Sequence, residues 1–195
     1  MLYLVRHGET DWNKQRLIQG HSNIPLNEEG RKQAKKVAEA FRHKQVDVMY
    51  SSDLLRAYET ALEIAKVVAI EEVKTCERLR ERSFGDLEAQ AVSKLEELVP
   101  GYGTNWGSES VYRMERLEDA QKRLTDRLVE IIEEAKEKHI VVVSHGAIIN
   151  LFIHFVTNGE DGTGKRHLEN TSISTFNYQE GNWQVIEINN HDHLL

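Results

Sequence analysis

Cysteine and proline are scarce in this 195-residue chain, which contains one cysteine and two prolines. The single cysteine, Cys76, excludes an internal disulfide and any metal site built from several thiolates. No apolar run approaches the roughly 20 residues that a membrane-spanning helix needs. The first residues also lack the basic and apolar segments of a secretory signal. We therefore expect a cytoplasmic protein with no membrane partner.

Basic residues are also fewer than acidic ones. The chain has 25 lysines and arginines and 32 aspartates and glutamates, which gives a formal net charge of −7. This balance argues against nucleic acid as a partner, since binding DNA or RNA depends on neutralising phosphates with lysine and arginine. If the ligand is an anion, its site must be a local group of cations on an acidic surface. The apolar content of 39% is ordinary for a globular protein.

Short apolar runs alternate with amphipathic stretches along the whole chain. The predicted strands are residues 2–5, 46–50, 73–79, 140–143, 173–178 and 183–188. The predicted helices are residues 27–41, 53–69, 87–99, 108–138 and 147–156. Alternating strands and helices are typical of a mostly parallel sheet covered on both faces. We predict an α/β fold, a three-layer α/β/α sandwich, whose last two strands form an antiparallel hairpin.

Basic side chains follow three of the predicted strands. Arg6 and His7 end the first strand, His145 follows the strand at 140–143, and Arg56 lies just beyond the second strand. Ligands of parallel sheets bind at these carboxyl ends. Arginines suit planar contacts to phosphoryl oxygens, and a neutral imidazole is a competent nucleophile near pH 7. The pattern indicates phosphoryl transfer; a zinc hydrolase with Glu81 and the two histidines as ligands is disfavoured, because two fixed cations would lie beside the metal.

A series of motifs runs in order along residues 2–150. Its segments are Leu2–Asn13, Gln19–Gly20 with Pro25–Ala34, Tyr50–Ala61, Leu79–Gly85 and Val143–Gly146. The series resembles the histidine phosphatase superfamily, in the cofactor-dependent phosphoglycerate mutase-like branch and of the broad-specificity phosphatase type. The resemblance implies a phosphoglycerate mutase-like α/β/α sandwich. It also implies one domain over residues 1–195, with a small variable cap region around residues 82–110.

The resemblance further implies roles for single side chains. His7 would be the nucleophile that becomes phosphohistidine, and Arg6, Arg56 and His145 would hold the phosphoryl group. Glu81 would protonate the leaving oxygen and then act as base towards water. The residues expected to bind the substrate or line its entrance are Thr10, Asn13, Gln19, Gly20, His21 and Gly146. We expect neither a metal ion nor a cofactor.

Four positions have two interpretations each. Tyr102 and Trp106 lie in a glycine-containing loop where the family varies, and they are either walls of the substrate site or ordinary loop packing. Glu109, near the predicted start of a long helix, either contributes to capping or contacts the pocket. His21 either contacts substrate or is a surface histidine.

One feature of the family's mutases has no counterpart here. The mutases carry an insertion after the general acid, with an adjacent arginine pair that binds the substrate carboxylate, and no such pair lies between Glu81 and Ser108. We therefore expect a metal-independent phosphomonoesterase that hydrolyses a small phosphorylated metabolite. The alternatives are a phosphoglycerate mutase, which is an isomerase, and a catalytically silent module that binds phospho-ligands. A monomer and a homodimer are both compatible with the sequence.

Overall fold

The computed structural model describes residues 1–107 and 110–195. The strands in these ranges are β1 (Leu2–Arg6), β2 (Val48–Ser51), β3 (Val73–Thr75), β4 (Ile140–Ser144), β5 (Ile173–Gln179) and β6 (Asn182–Asn190). The α-helices are α1 (Asp11–Lys14), α2 (Glu28–Ala40), α3 (Leu55–Val68), α4 (Leu95–Leu98), α5 (Tyr102–Asn105), α6 (Leu117–Glu134) and α7 (Gly146–Val156). No helix within these ranges is both long enough and apolar enough to cross a bilayer.

The strands form one sheet in the order β3-β2-β4-β1-β5-β6. The first four of these are parallel, whereas β5 runs antiparallel to β1 and pairs with β6 as the predicted hairpin. Arg6 is in register with Ser144, so the carboxyl ends of β1 and β4 lie side by side. The chain leaves β1 towards β2 and leaves β4 towards β5, in opposite directions along the sheet. A crevice opens at such a switch point.

The two faces of the sheet carry separate apolar cores. Successive side chains of a strand point to opposite faces, and β1 shows this alternation clearly. Leu2 and Leu4 pack with α6 and α7, whereas Tyr3 and Val5 pack with α2 and α3. The side chains of β4 divide between the faces in the same way. The predicted three-layer α/β/α sandwich is therefore confirmed.

A third apolar cluster lies away from these two cores. It is built from separate chain segments, and its buried members are Ile18, Phe84, Leu87, Leu95, Val99 and Met114. Leu87 belongs to a short 3₁₀ turn at Gly85–Leu87, and Leu95 is the first residue of α4. Three members, Ile18, Phe84 and Leu95, also line the cavity at the carboxyl ends of the strands. This cluster thus forms part of the wall of that cavity.

The prediction of a single helix over residues 87–99 is wrong. Glu88 has an extended backbone, and Ala89 has a φ of 69° in the left-handed region. A helix cannot pass through two such residues. The apolar residues Leu87, Leu95 and Val99 instead reach the third cluster from short turns and from α4.

The predicted start of the long helix over residues 108–138 is also wrong, because α6 begins at Leu117. Val111 and Met114 match a helical period, but Tyr112 and Arg113 have φ values of 53° and 56°. Met114 is instead buried in the third cluster. The predicted starting position, at Ser108 or Glu109, lies outside the described residues.

Two other predicted boundaries shift by a few residues. The strand expected over 73–79 ends at Thr75, and a 3₁₀ turn at Glu77–Leu79 then buries Leu79. The helix expected from Asp53 begins at Leu55, because the backbone of Leu54 is extended, with a ψ of 134°.

Two glycines allow α2 to pack against the segment that follows β1. A Cβ atom on Gly30 would lie 2.0 Å from the carbonyl oxygen of Glu9, and one on Gly8 would lie 2.6 Å from the carbonyl oxygen of Gly30. Both obstacles are main-chain atoms, which cannot rotate away. The cap of α2 fixes the same contact, because Asn27 accepts from the Gly30 amide and donates to the Glu9 carboxylate, both at 2.8 Å.

We expect Gly30→Ala to destabilise the fold although alanine favours a helix. The methyl group would push α2 away from the main chain beside His7, and overpacking of this kind costs about 1–3 kcal/mol. Urea unfolding measures the loss. Lys35→Ala, an exposed position of the same helix, is the matched control and should stay within about 0.5 kcal/mol of the original protein. An unchanged Gly30→Ala variant would show that α2 moves freely.

Candidate active site

Two histidines meet where β1 and β4 end. His7 follows β1, His145 follows β4, and the centroids of their rings are 5.1 Å apart. Both are buried, with exposed fractions of 3% and 0%. The parallel pairing of the two strands produces this meeting, because it places Arg6 opposite Ser144.

The ring of His7 is held in one tautomer. Its Nδ1 lies 2.7 Å from the carbonyl oxygen of Gly8, and a carbonyl only accepts, so Nδ1 carries the proton. Burial and the charges of Arg56 and Arg6 lower the pKa of this imidazole well below 6.5. The ring is therefore neutral at pH 7, and its Nε2 has a free lone pair. His7 lines the cavity at the sheet edge, which is where a nucleophile has to lie.

Two guanidinium groups lie beside this ring. Arg6 donates Nη1 to the carbonyl oxygen of Leu168, and Arg56 donates to those of Ser22 and Gly20, at 2.8 Å each. Burial lowers the pKa of Arg56 to about 10, so it keeps its charge at pH 7. Their hydrogen-bond partners in the described chain are main-chain carbonyl oxygens, and no carboxylate pairs with either.

Four buried nitrogens around this point have no hydrogen-bond partner among the described residues. They are Nε of Arg6, Nε of Arg56, and both ring nitrogens of His145. Burial and the charge of Arg56 lower the pKa of His145 well below 6.5, as they do for His7. Buried polar atoms without partners are costly, and two of these belong to cations. A phosphoryl group supplies the acceptor oxygens that this arrangement lacks.

Two side-chain amides complete the donor set. Thr10 caps α1, and the Oδ1 of Asn13 accepts from the Thr10 amide at 3.1 Å. The hydroxyl of Thr10 lies 2.9 Å from Oε1 of Gln19. Both amide oxygens are thus engaged, which leaves the NH₂ groups of Asn13 and Gln19 as donors, and both residues line the cavity. Thr10 itself is fully buried behind them.

Glu81 lies at the start of α7. Its carboxylate accepts from the amides of Ala147 at 3.0 Å and Ile148 at 2.8 Å, and from that of Arg82 at 2.9 Å. It therefore caps this helix, since the preceding residue, His145, makes no side-chain cap. Glu81 lines the same cavity as His7.

The cavity has a volume of about 380 Å³. Of the residues predicted for the site, it is lined by Arg6, His7, Asn13, Gln19, Gly20, Arg56, Glu81 and Gly146. Tyr102 and Trp106, which had two interpretations, also line it. Helix α7 approaches closely here, because a Cβ on Gly146 would lie 3.1 Å from Nε of Arg6.

The predicted residues Thr10 and His145 are buried at the site but are not part of the cavity lining. His21 is not part of the cavity lining, and its Nε2 lies 2.8 Å from the carbonyl oxygen of Glu81. Direct contact between His21 and a substrate stays a prediction. Glu109, considered as a pocket contact, is outside the described residues.

Glu88 is a residue whose importance the sequence did not reveal. Its carboxylate accepts from the amides of His21 and Ser22, each at 2.8 Å, and from the hydroxyl of Ser22 at 2.6 Å. The carbonyls of Ser22 and Gly20 in turn bind Arg56. Glu88 thus holds the loop that positions a guanidinium of the site. Its sequence signal is that Leu87-Glu88-Ala89 stands where many members of the family have Trp-Glu-Gly.

Comparison with known proteins agrees with this geometry. The sequence profile of the histidine phosphatase superfamily (branch 1) matches residues 2–191. The chain therefore belongs to the histidine phosphatase superfamily, and the resemblance seen in the ordered motifs is confirmed.

The relatives include phosphatases and mutase-like proteins. The uncharacterized phosphatase PhoE of Bacillus subtilis (strain 168) is 33% identical over 192 residues, covering 98% of this chain and 95% of the relative. The phosphoglycerate mutase-like protein 4 of Arabidopsis thaliana is 36% identical over 193 residues, covering 96% and 83%.

A solved structure extends the likeness to the whole fold. A phosphoserine phosphatase mutant of Entamoeba histolytica, in complex with phosphoserine, has a TM-score of 0.87 at 31% identity and covers 100% of this chain and 98% of its own. The phosphoserine phosphatase of that organism in complex with 3-phosphoglyceric acid gives a TM-score of 0.86 at 33% identity, with the same coverage. The phosphatase class predicted from the sequence is confirmed.

We expect the free energy of unfolding to fall as the pH drops below 6.5. The pKa of His7 and of His145 is lowered from 6.5 in the folded state, so the unfolded chain binds more protons there. Each ring then destabilises the fold by up to about 1.4 kcal/mol per pH unit. Urea unfolding between about pH 7.5 and about pH 5.5 measures the slope. His145→Gln should flatten it relative to His43→Gln, an exposed control; equal slopes would contradict the prediction.

We expect Glu88→Gln to impair the site more than the fold. The donors of His21 and Ser22 now share the two carboxylate oxygens of Glu88, whereas a glutamine amide offers only one acceptor oxygen. Losing a hydrogen bond to a charged group costs about 1.5–3 kcal/mol. Because the loop held by Glu88 positions Arg56, kcat/KM for a phosphate ester should fall about tenfold or more. Inhibition by inorganic phosphate should weaken in parallel. Asp47→Asn is the matched control, since Asp47 also accepts a main-chain amide but lies before β2, at the other end of the strand. Unchanged phosphate inhibition would refute the link to Arg56.

Proposed function

We propose that this phosphatase is a metal-independent phosphomonoesterase in which Nε2 of His7 forms a phosphohistidine. The observation that carries the proposal is the neutral ring of His7 beside four nitrogens of Arg6, Arg56 and His145 that have no hydrogen-bond partner in residues 1–107 and 110–195. A nucleophile with a free lone pair and an anion-binding site thus occupy one buried point. Two fixed guanidiniums supply the positive charge that many phosphoryl-transfer enzymes take from Mg²⁺.

In the first step, the lone pair of His7 Nε2 forms a bond to phosphorus, and the bond from phosphorus to the ester oxygen breaks. Arg6 and Arg56 neutralise the non-bridging oxygens, and His145 donates from its protonated ring nitrogen. The proton on Nδ1 of His7 stays on that nitrogen, and its hydrogen bond to the carbonyl oxygen of Gly8 stabilises the positive charge that develops on the ring. Glu81 gives its proton to the leaving alkoxide, which departs as the alcohol.

In the second step, water attacks the phosphohistidine. Glu81, now a carboxylate, accepts the proton of that water, the bond from nitrogen to phosphorus breaks, and inorganic phosphate and free His7 result. The hydrogen bonds from the amides of Ala147 and Ile148 support this role, because they hold the carboxyl group at one place through both steps.

Water is the proposed acceptor because the arginines near the site are occupied. Between Glu81 and α6, Arg82 binds main-chain carbonyls, Arg113 pairs with Asp86, and Arg116 pairs with Glu118. A phosphoglycerate mutase is the second candidate, since relatives carry that name. Conversion of 3-phosphoglycerate to 2-phosphoglycerate, stimulated by 2,3-bisphosphoglycerate, would favour it over hydrolysis.

We further propose that residues 1–195 form one domain with a cap around residues 82–110. The third apolar cluster supports this division, because it joins Phe84, Leu87, Leu95 and Val99 to one another and to Ile18. A small phosphate ester is the proposed ligand, and a cytoplasmic location stays a prediction.

We expect His7→Ala to abolish turnover of p-nitrophenyl phosphate and the acid-labile phosphoenzyme together. Without the imidazole no covalent intermediate forms, so kcat should fall at least about a thousandfold. Release of p-nitrophenol and acid-quenched labelling with a radioactive phosphate ester measure the two effects, both in excess EDTA. His191→Ala, near the end of the chain, is the control and should keep both. A phosphoenzyme in His7→Ala, or loss of the original activity in EDTA, would overturn the mechanism.

A further inference from the structure

The chain segment that carries Glu81 is held by an arginine of α6. Arg123 donates Nη1 to the carbonyl oxygens of Arg78 and Arg80, at 2.8 and 3.1 Å. Its Nη2 donates to the carbonyl oxygen of Glu81 at 3.2 Å. The two remaining N–H groups donate to the carboxylate oxygens of Glu115, at 2.8 and 2.9 Å. A guanidinium has five N–H donors, so every donor of Arg123 has an acceptor and the side chain has one fixed place.

Glu115 holds the residues that follow Glu81. Its carboxylate accepts from the Ser83 amide at 3.0 Å, and its carbonyl oxygen accepts from Nε of Arg82 at 2.9 Å. Burial would raise the pKa of this carboxyl, but the hydrogen bonds and charge of Arg123 outweigh burial and lower the pKa. The pair is largely shielded from water, since each side chain is 19% exposed. The ion pair therefore fixes the main chain on both sides of Glu81.

A histidine binds the same carbonyl oxygen from the opposite loop. Nε2 of His21 lies 2.8 Å from the carbonyl oxygen of Glu81, and since a carbonyl only accepts, Nε2 carries the proton. The neighbours of this histidine, Gly20 and Ser22, bind Arg56 through their carbonyl oxygens. The Glu81 segment and the loop that positions a guanidinium of the site are thus joined at one atom.

Arg123 and Glu115 lie outside the cavities at the site. The cavity at His7 adjoins a second one of about 220 Å³, and Trp106 lines both. The indole of Trp106 rests on Gly164, where a Cβ would lie 2.4 Å from the ring. Neither Arg123 nor Glu115 is part of either lining. An effect of Arg123 on catalysis must therefore pass through the residues that it holds.

The carboxyl group of Glu81 depends on the place of its own main chain. Its oxygens accept from the amides of Ala147 and Ile148 at the start of α7, so the side chain bridges from its own segment to a different element. A shift of the segment would break these bonds or turn the carboxyl group. Displacing a reacting group by about 1 Å can cost about a hundredfold in rate.

We infer that Arg123 and His21 are positioning residues for Glu81, which fix its carbonyl oxygen and so keep its carboxyl group at the ester oxygen. This inference rests on the proposed function, in which Glu81 protonates the leaving group. It predicts a defect that depends on the leaving group, because an alkoxide needs a proton to depart whereas p-nitrophenolate does not. Residues that serve only folding would lower the hydrolysis of all esters equally.

The first test compares kcat/KM for benzyl phosphate and p-nitrophenyl phosphate, two esters that each carry one aromatic ring. These values report the steps up to the phosphohistidine, so the later role of Glu81 as base does not enter. We expect Arg123→Met to lower the benzyl value about tenfold to a hundredfold and the p-nitrophenyl value less than about threefold. Arg123→Lys, which keeps the charge but loses the planar fork, should change the two values in the same direction.

Arg127→Met is the matched control. Arg127 lies one turn further along α6 and is 12% exposed, but it pairs with Glu130 and Glu134. Its replacement should leave the ratio of the two kcat/KM values unchanged. Equal losses on both esters in the methionine and lysine variants of Arg123 would overturn the inference. Glu81→Gln identifies a failure of the mechanism itself: if it also lowers both values equally, Glu81 is not the acid, and the proposed function is wrong at that step.

The second test uses His21. His21→Gln places an NH₂ group near the position of Nε2, whereas His21→Ala leaves the carbonyl oxygen of Glu81 to Arg123 alone. We expect the alanine variant to raise the ratio of the p-nitrophenyl to the benzyl value about threefold to tenfold, the worth of one hydrogen bond, and glutamine to restore it. Inhibition by inorganic phosphate, which reports on Arg56, should stay unchanged, because the main-chain amide at position 21 still donates to Glu88. Equal ratios in the two variants would refute the role of His21.

Discussion

Two buried guanidiniums that have no carboxylate partner among the described residues are the constraint around which this structure is arranged. Removing a cation from water is costly unless other groups replace the lost hydration. Here main-chain carbonyls do so, from residues 20 and 22 for Arg56 and from residue 168 for Arg6. Two loops far apart in sequence must therefore fold against the ends of β1 and β4. These carbonyls replace only part of the hydration that the two guanidiniums lose. The positive charge that is left uncompensated therefore attracts a doubly charged phosphate.

The same charges determine the state of the two histidines. An imidazole beside fixed cations and removed from water stays neutral, because a third positive charge would be repelled and poorly solvated. This lowers the pKa of both His7 and His145. In the proposed mechanism, the imidazole of His7 is therefore free to attack at neutral pH without a neighbouring base to deprotonate it. One electrostatic arrangement thus couples the predicted loss of stability in acid to the neutral state that the proposed mechanism requires of His7.

The sheet, both cores and the phosphoryl end of the site were predictable from local patterns. His7, His145 and Arg56 stand where strands end, and parallel pairing brings such positions together. The segment between Phe84 and α6 was not predictable, because Met114 matches a helical period while its packing partners lie elsewhere in the chain. Glu88 and Arg82 were missed for a related reason. They bind main-chain atoms of distant loops. Because every residue type offers such main-chain atoms, the amino-acid sequence does not indicate which residue is the partner.

The contact between Trp106 and Gly164 has an evolutionary consequence. It joins two chain segments that are remote in sequence and lie outside the catalytic end, and it separates the two cavities. A smaller residue at position 106 would merge them, and a larger one at position 164 would displace the indole. Substitutions at these two positions can therefore change which alcohol the enzyme accepts without changing the residues at the phosphoryl end. Because the two side chains touch, substitutions at positions 106 and 164 should occur together.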